Sequence, residues 1–390
     1  MHLFEFNQME WFLAGITLIL FFILLYYCFF FYNNPFKKSE PEEFVKRKDD
    51  KQPPVSIILY AQDNVQRVEC HLPVFMNQNY PDYEVIVVAD EVGDECVNAL
   101  SMIKGEYENL YISYVPSKAR FISRKKLALT LGIKAAHHEI MFFSDMGVEP
   151  VGPDWLNGMV RCYQENTKMI IGASFYPYTH GWKNKFIGLD NLRYTLQYLS
   201  AALHGHPFDG TGKNLSYTKD LFFQYKGFYN HLHLKVGAAS LFIDEAATSD
   251  NAVVCYDVKT LMKREEVSSL KDWVHEKSVA VTISKLFKNK YYRLFYLEIW
   301  LYLLFIMVDI LLIKIGLAGN YLLALFACIL LILYYGIKTL FFIRLSRLFS
   351  QQIKWYNFAV LDLVNNLYIA CLNLTGWFVR KKDYVFVVEK

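Results

Sequence analysis

The sequence predicts an α/β fold with a mostly parallel sheet, held at a membrane by helices near both ends. Short apolar runs alternate with helical patterns between residues 55 and 145, which is typical of a parallel sheet with helices on both faces. Long apolar segments near the two ends concentrate the hydrophobic residues, which make up 54% of the 390 residues. The formal net charge of +3 is too small to indicate a nucleic-acid partner.

The first long apolar segment covers residues 11–32 and contains no charged residue. Its length matches the roughly 20 helical residues that cross a hydrocarbon core. A cleaved signal peptide is the alternative, but no Lys or Arg precedes the segment and no small-residue cleavage site follows it. We therefore expect an N-terminal transmembrane anchor over 1–35, followed by a charged linker over 36–53.

Two further spans, at about 295–315 and 321–343, place two transmembrane helices within 291–345. The turn between them carries no charge, whereas basic residues cluster on the other side: Lys285, Lys288, Lys290, Arg293, Lys338, Arg344, Arg347 and Lys354. The positive-inside rule then places the turn outside and the domain between the anchor and these helices in the cytoplasm.

The remaining segment, 346–390, contains one more apolar stretch at 355–378. Polar residues interrupt it, namely Asp362, Asn365, Asn366 and Asn373. The interruptions favour an interfacial helix, with a third C-terminal membrane helix as the alternative.

The domain over 54–290 begins with the alternating elements. We predict strands at 55–60, 83–90, 110–115 and 140–143, with helices at 65–77, from about 91 to 104, and at 125–136. In such a sheet, ligands gather at the carboxyl ends of the strands. Asp63, Asp90 and Asp145 follow or end three of these strands, so we expect them at one edge.

The seven cysteines are scattered, odd in number and without C-x-x-C spacing. This distribution predicts buried thiols in a reducing compartment and indicates neither a disulfide framework nor a zinc site.

Several segments occur in the order found in glycosyltransferase family 2, a group of inverting, nucleotide-sugar-dependent enzymes with a GT-A fold. They are PPVSII at 53–58, HLP at 71–73 with QNYP at 78–81, EVIVVAD at 84–90, RKKLAL at 124–129, GTGKNLSY at 210–217 and KGF at 226–228. Each is weak alone, but together they identify the chain as resembling a membrane-anchored bacterial branch of that family.

The resemblance implies a site for a nucleotide sugar and a site for its acceptor. By position in the family motifs, the donor-binding candidates are Asp63, Asp90, Lys125 and Asp145, and the acceptor-side candidates are Gly210, Gly212 and Asn214. It also implies a Mg²⁺ or Mn²⁺ ion on Asp145, but Gly147 stands where a D-x-D pair has its second acid. A bound metal is therefore doubtful.

The segment in which the family carries its general base, G-D-D-D-L-F, is GAASLF at 237–242 in this chain. Ala238, Ala239 and Ser240 replace three acids, and losing such a base slows a reaction on the order of 10²–10⁴-fold. Val279 also stands where the family places a leaving-group arginine, with Lys277 as a partial substitute. The catalytic residues thus stay unassigned by the sequence.

Two functions remain open. The first is a membrane glycosyltransferase of the inner membrane that uses a nucleotide sugar and a lipid-linked or surface-glycan acceptor in polysaccharide synthesis, with altered catalytic residues. The second is an inactive pseudoenzyme that acts as a scaffold or regulator of an active transferase partner. In both, the lipid bilayer is a partner.

Overall fold

The structure is a computed structural model that describes residues 7–32, 35, 52–116, 123–177, 179–351, 353–375 and 384–386. Its strands are β1 (Val55–Gln62), β2 (Tyr83–Asp90), β3 (Leu110–Tyr114), β4 (Ile140–Asp145), β5 (Val148–Pro150), β6 (Met169–Gly172), β7 (Ser174–Phe175), β8 (Leu215–Thr218), β9 (Ala252–Cys255) and β10 (Met262–Arg264). They form a seven-stranded sheet of order β3-β2-β1-β4-β8-β6-β9 and a small sheet of order β5-β10-β7. Most of the predicted linker, 36–53, lies outside the described residues.

The first four strands form the parallel half of the main sheet. The helices between them are α2 (Val65–Met76), α3 (Asp94–Glu106) and α4 (Arg124–Ala135), after the N-terminal helix α1 (Gln8–Tyr26). Side chains alternate between two buried cores: Ile57 and Leu59 pack on one face of β1, whereas Ile58 and Tyr60 pack on the other. The predicted pattern of strands and helices is confirmed here.

The other half of the sheet contains antiparallel pairs, because β8 runs antiparallel to both β4 and β6. The remaining helices are α5 (Trp155–Arg161), α6 (Trp182–Leu203), α7 (Lys219–Gln224), α8 (Ala238–Ala246), α9 (Leu270–Ser284), α10 (Tyr292–Ala318), α11 (Tyr321–Leu348) and α12 (Trp355–Thr375). Helix α6 is largely buried and packs against α12. It therefore joins the α/β domain to the C-terminal helices.

In the described part of the chain, four helices are long and apolar enough to cross a membrane: α1 with its π-helical extension, α10, α11 and α12. The polar residues that interrupt the apolar pattern of α12 face protein. Asp362 accepts a hydrogen bond from Lys338 of α11 at 2.8 Å, and Asn365 donates to Asp190 of α6 at 3.2 Å. Buried polar groups need such partners, which explains why α12 carries them.

One buried arginine ties the domain to the membrane helices. Arg193 of α6 donates to Asn366 of α12 at 2.6 Å and pairs with Glu298 of α10 at 3.4 Å. Glu298 also accepts a hydrogen bond from Tyr32, next to the N-terminal helix, at 2.5 Å. The side chains of Arg193 and Glu298 are each 4% exposed. The ion pair of Arg193 with Glu298 therefore links the domain to segments near both ends of the chain.

The cysteine prediction needs a correction. The structure pairs Cys162 with Cys255 as a disulfide, with their Cα atoms 6.4 Å apart. The two residues are separated by 93 positions and meet because the end of α5 lies beside β9. Cysteine spacing along the chain carries no information about such a contact. Of the other cysteines in the described residues, Cys70 and Cys371 are exposed, and neither forms a disulfide.

Replacing Arg193 by Met should destabilise the whole protein, because it leaves the carboxylate of Glu298 buried without its cation. Breaking one partner of a buried ion pair costs about 3–5 kcal/mol. The measurement is thermal unfolding in detergent micelles. Lys168→Met, which removes an exposed ion pair with Asp220, is the control and should change stability by less than about 1 kcal/mol. A double variant Arg193→Met/Glu298→Gln should lose less stability than Arg193→Met alone; an equal or larger loss would contradict this account.

Candidate functional site

The candidate site lies at the carboxyl ends of β1, β2 and β4, where Asp145 ends β4. Lys213 donates to both carboxylate oxygens of Asp145, at 3.0 and 2.9 Å, and Lys125 approaches one of them at 3.5 Å. The backbone N–H of Gly147 donates to the same carboxylate at 3.0 Å. Asp145 is only 9% exposed. A buried carboxylate is thus held between two lysines.

The neighbouring groups shift the pKa values of both Asp145 and Lys213. Burial alone would raise the pKa of Asp145, but Lys213, then Lys125 and the Gly147 N–H, hold it below its usual range. Burial also lowers the pKa of Lys213, with Arg264 and Lys125 acting in the same direction, and Asp145 opposes this shift. Asp145 is therefore fully ionised at neutral pH.

Asp90 belongs to the same network. Arg124 donates to its Oδ1 at 2.6 Å through Nε, and Tyr60 donates to its Oδ2 at 2.7 Å. The ammonium of Lys125 lies 5.3 Å from the centre of the Tyr60 ring, within the range of a cation–π contact. The structure thus brings together three of the donor-site candidates: Asp90, Lys125 and Asp145.

Asp63 lies at the same edge, but its described contact is with a loop. It accepts a hydrogen bond from the backbone N–H of Gly93, at 2.9 Å, and so holds the segment between β2 and α3. Lys126, beside Lys125 in sequence, faces the other way and donates to the carbonyls of His231 and Leu234 at 2.6 and 3.0 Å. The helix therefore presents only one of these two lysines to Asp145.

The segment that carries Gly210, Gly212 and Asn214 connects the donor edge to the domain interior. A Cβ at Gly210 would lie 2.8 Å from Ile171 and Ile243, and one at Gly212 would lie 2.9 Å from Ala239. Glycine is needed because the loop runs this close to its neighbours. Asn214 is fully buried. Its amide donates to the backbone at Ala173 and Thr260 and accepts from Trp155, so it positions the loop.

Two basic residues at this site were not among the sequence candidates. Lys213 lies within the GTGKNLSY segment, and its place in that motif is the one feature of the sequence that could have identified it as a site residue. Arg264 ends β10 and donates to Ser174, Tyr176 and Thr211 at 2.9, 3.2 and 3.3 Å. Burial lowers the pKa of Arg264, whereas Tyr176 and, more weakly, Asp145 raise it, so the guanidinium lies near enough to sense the charge of the carboxylate. No local pattern around Arg264 predicts this position, because β10 belongs to the separate small sheet.

A cavity of about 250 Å³ begins at Arg264 and extends towards the membrane helices. Its polar wall comes from the domain and includes Asp190, Tyr194, Asp209 and Lys277. Its apolar wall comes from α9, α10 and α12: Trp273, Val281, Tyr292, Phe295, Tyr296, Tyr368, Ile369 and Leu372. The cavity therefore joins a charged region to the apolar side chains of candidate membrane helices.

The segment that replaces the family's acids begins helix α8, after Gly237 in the left-handed region with φ +80°. Ser240 is close enough to Asp209 to lower the pKa of that carboxylate, whereas the two nearby acids make their contacts elsewhere. Asp244 accepts from the backbone N–H groups of Lys288 and Asn289, and Glu245 lies 2.9 Å from the Lys288 ammonium. Both acids serve the connection to α10.

Val279, which stands where the family has its leaving-group arginine, has apolar surroundings. Val279 is 6% exposed and packs in the domain core. Lys277 lines the cavity and pairs with Asp190 at 2.6 Å. Arg264, and not Lys277, is thus the cation that contacts the Gly210–Gly212 loop through Thr211.

The described residues around Asp145 do not form a divalent metal site by themselves. Hard cations take several oxygen ligands, but the described residues contain no group of three His, Cys, Asp or Glu side chains able to hold one. Both oxygens of the lone carboxylate already accept hydrogen bonds from Lys213. An ammonium group therefore occupies the position at which a metal would need the carboxylate.

A mostly parallel sheet with a charged cleft at its carboxyl edge, joined to membrane helices, defines a membrane glycosyltransferase with a GT-A-like fold. The family model for glycosyl transferase family 21 matches residues 16–220, more than half of the chain, so the chain belongs to that family. The resemblance indicated the correct fold and class of protein. The match is to family 21, and the narrower assignment to family 2 gains no support from it.

Among solved structures, the chain is similar to the mannosyltransferase PcManGT from Pyrobaculum calidifontis in complex with GDP-Man and Mn²⁺. The alignment covers 94% of this chain and 100% of that chain, with 15% identity and a TM-score of 0.59, and at this identity it shows the fold alone. A mycobacterial protein aligns over 59% of this chain and 73% of that chain, with 14% identity and a TM-score of 0.37, too low for any argument.

The double variant Lys213→Ala/Gly147→Asp should gain a Mn²⁺ site. Removing Lys213 frees both oxygens of Asp145, and an acid two positions later supplies a second carboxylate. A Cβ at position 147 would lie 3.2 Å from Asp145 Oδ1, so the Asp145 carboxylate must shift by a few tenths of an ångström, and 3.7 Å from the Lys213 ammonium, which the variant removes. The measurement is calorimetric titration of Mn²⁺ in the presence of GDP.

The matched control is Lys213→Ala/Gly152→Asp, because Gly152 has open space where its Cβ would be and lies away from Asp145. It should bind Mn²⁺ no better than Lys213→Ala alone. If Lys213→Ala/Gly147→Asp also shows no gain over Lys213→Ala, then Lys213 does not stand in the position of a metal ion.

Proposed function

We propose that the protein transfers a sugar from a nucleotide-sugar donor to an acceptor with a lipid portion, and that lysine and arginine side chains replace the divalent cation at the donor diphosphate. The observation that carries this proposal is the pairing of Asp145 with Lys213 and Lys125, with Arg264 within electrostatic reach. The fold and the family support the reaction class.

Charge balance supports binding of a diphosphate without metal. Asp145 contributes one negative charge, and Lys125, Lys213 and Arg264 contribute three positive charges, which leaves a local excess of two positive charges. The diphosphate bridge of a nucleotide sugar carries two negative charges. Cations fixed around a leaving diphosphate stabilise the charge that develops as the glycosidic bond breaks.

The other residues that we assign to the donor site lie at the same edge of the sheet. We assign Asp90 and Asp63 to the nucleoside side of the donor, because they follow β2 and β1, and Lys125 and Asp145 to the diphosphate side. The similar mannosyltransferase structure contains GDP-Man and Mn²⁺, which supports a nucleotide-sugar ligand in this fold. In this chain, we assign the role of that metal ion to the lysines.

We place the acceptor in the cavity between the domain and the membrane helices. Its apolar wall of aromatic and aliphatic side chains suits a lipid chain, and its polar wall suits the hydroxyl-bearing head group. Gly210 and Gly212 shape the loop between this cavity and Lys213. A lipid-linked acceptor of this kind fits a role in the synthesis of a surface polysaccharide.

The basic residues beside α10 and α11 support an orientation with the domain in the cytoplasm, at the inner membrane of a bacterium. We also propose the division of the chain that the sequence predicts: an anchor at 1–35, a linker at 36–53, a domain at 54–290, two membrane helices at 291–345 and a C-terminal segment at 346–390. This division of the chain stays a prediction.

Nucleoside diphosphate binding should need no metal and should depend on Lys213. Calorimetric titration of the wild-type protein with GDP and UDP should give the same Kd with EDTA as with Mn²⁺. Lys213→Met removes a charged donor worth about 1.5 kcal/mol or more, which corresponds to roughly tenfold weaker binding. Lys134→Met, at an exposed position of α4, is the control and should bind like wild type. Binding that requires Mn²⁺ would contradict the proposal.

Filling the cavity should block the acceptor and spare the donor. Ala280→Trp places an indole in the cavity wall, whereas His275→Trp adds the same group to an exposed position of α9 outside it. We expect Ala280→Trp to reduce sugar transfer to lipid acceptors in nanodiscs at least tenfold, with GDP and UDP binding unchanged. Equal activity in the two variants would place the acceptor elsewhere.

The second candidate function, an inactive scaffold for an active transferase, is supported by Ala238 and Ala239 at the place of the family's acids. Release of nucleoside diphosphate from a nucleotide sugar distinguishes an active transferase from an inactive scaffold. Purified protein in lipid nanodiscs, given UDP- and GDP-sugars one at a time, should release UDP or GDP if it is a transferase. A scaffold would bind nucleoside diphosphate or a partner protein without turnover.

A further inference from the structure

Asp209 is a buried carboxylate that the sequence candidates did not include. It is 6% exposed and lines the cavity, directly before Gly210. Tyr194 donates to its Oδ2 and the Gly210 N–H donates to its Oδ1, each at 2.7 Å. Its loop runs against the segment 238–240, since a Cβ at Gly212 would lie 2.9 Å from Ala239. A carboxylate from another element therefore lies beside the segment in which the resemblance places the missing acids.

We propose that Asp209 is the general base that removes the proton from the acceptor hydroxyl, in place of the acids replaced at 238–240. This inference rests on the proposed sugar transfer and adds the residue that starts it. The loop that carries Asp209 packs against the start of α8 at Ala239, so the base would act from nearly the same place on a different element of the fold.

The loop geometry connects this base to the donor site. Asp209 lines the cavity at one end of the segment 209–213, and Lys213 binds Asp145 at the other end. Four residues span at most about 14 Å, which limits the distance between the Cα atoms of Asp209 and Lys213. Arg264 contacts Thr211 in the middle of the segment. An acceptor hydroxyl in the cavity would thus lie between the base and the donor diphosphate.

The other acids of the cavity are less suited to this role. Asp190 already pairs with the Lys277 ammonium at 2.6 Å. Glu276 is exposed on α9. In the described part of the chain, Asp209 has no lysine or arginine within ion-pair distance, and its carboxylate can accept further hydrogen bonds beyond those from Tyr194 and Gly210. A hydroxyl in the cavity can use this remaining capacity.

The surroundings tune the carboxylate for proton transfer near neutral pH. Burial raises the pKa of Asp209 to about 6, while Tyr194, Ser240, the Gly210 N–H and the charge of Lys277 oppose this shift. Among the described residues, the charged and titratable groups near it include Arg264 on β10, Glu276 and Lys277 on α9, Asp190, Tyr194 and Tyr198 on α6, and Tyr296 on α10. A base with such a pKa is ionised at pH 7 and still basic enough to accept a proton.

The step balances as follows. The carboxylate of Asp209 takes the proton of the acceptor hydroxyl while the hydroxyl oxygen forms a bond to the anomeric carbon of the donor sugar. The bond between that carbon and the donor phosphate oxygen breaks, and its electron pair leaves with the nucleoside diphosphate beside Lys213 and Arg264. The proton on Asp209 then passes to solvent.

The test measures UDP or GDP release by the full-length protein in nanodiscs that contain diacylglycerol, with UDP-glucose or GDP-mannose as donor. Asp209→Asn should lower the rate about 10²–10⁴-fold and leave calorimetric GDP and UDP binding unchanged. The wild-type rate should fall as the pH drops through about 6, because the base becomes protonated. Asp220→Asn, at an exposed acid of α7, is the control and should match wild type.

Asp209→Ala with added formate separates a chemical role from a structural one. Formate in the vacated space can accept the proton, so the rate should recover with formate concentration, whereas chloride should have no effect. Near-wild-type release by Asp209→Asn, or loss of both activity and thermal stability without formate rescue, would overturn the role of Asp209 alone. Absence of release by wild type with both donors, despite GDP or UDP binding, would overturn the transferase proposal together with it.

Discussion

The carboxylate of Asp145, held between Lys213 and Lys125, is the interaction on which the candidate site depends. It neutralises a charge that burial would otherwise disfavour, and it joins strand β4 to helix α4 and to the loop before β8. The carboxylate is fully ionised because its partners are cations, and the lysines are kept in place because the carboxylate is buried. The two charges therefore stabilise each other within the buried edge of the sheet.

The second organising feature is the contact between the domain and the membrane helices. Arg193 brings α6, α10 and α12 together, and the cavity lies among the same helices. Because the cavity wall is shared between the domain and these helices, its shape depends on their relative placement. An acceptor site built in this way would be sensitive to the membrane environment, since the same helices contact lipid.

The sequence predicted the parallel strands, the helices between them and the apolar helices at both ends, because each follows from a local periodicity. Strand β2, for example, has the predicted bounds of 83–90. It also placed Asp63, Asp90 and Asp145 at one edge, since residues at the carboxyl ends of neighbouring parallel strands meet there, and the family resemblance added Lys125. Lys213, Arg264 and Asp209 were missed because they come from later loops and strands, whose positions are set by antiparallel pairing and by the small second sheet.

The chain by itself therefore determined the class of fold, the membrane helices and the absence of the usual acids at Gly147, Ala238 and Ala239. Only the tertiary structure decided what occupies the places of those acids: an ammonium group at Asp145, and a carboxylate from another loop beside Ser240. The reason is physical. A periodic pattern reports which face of an element is buried, whereas a charge pair between distant segments depends on distances that arise only after the whole chain has packed.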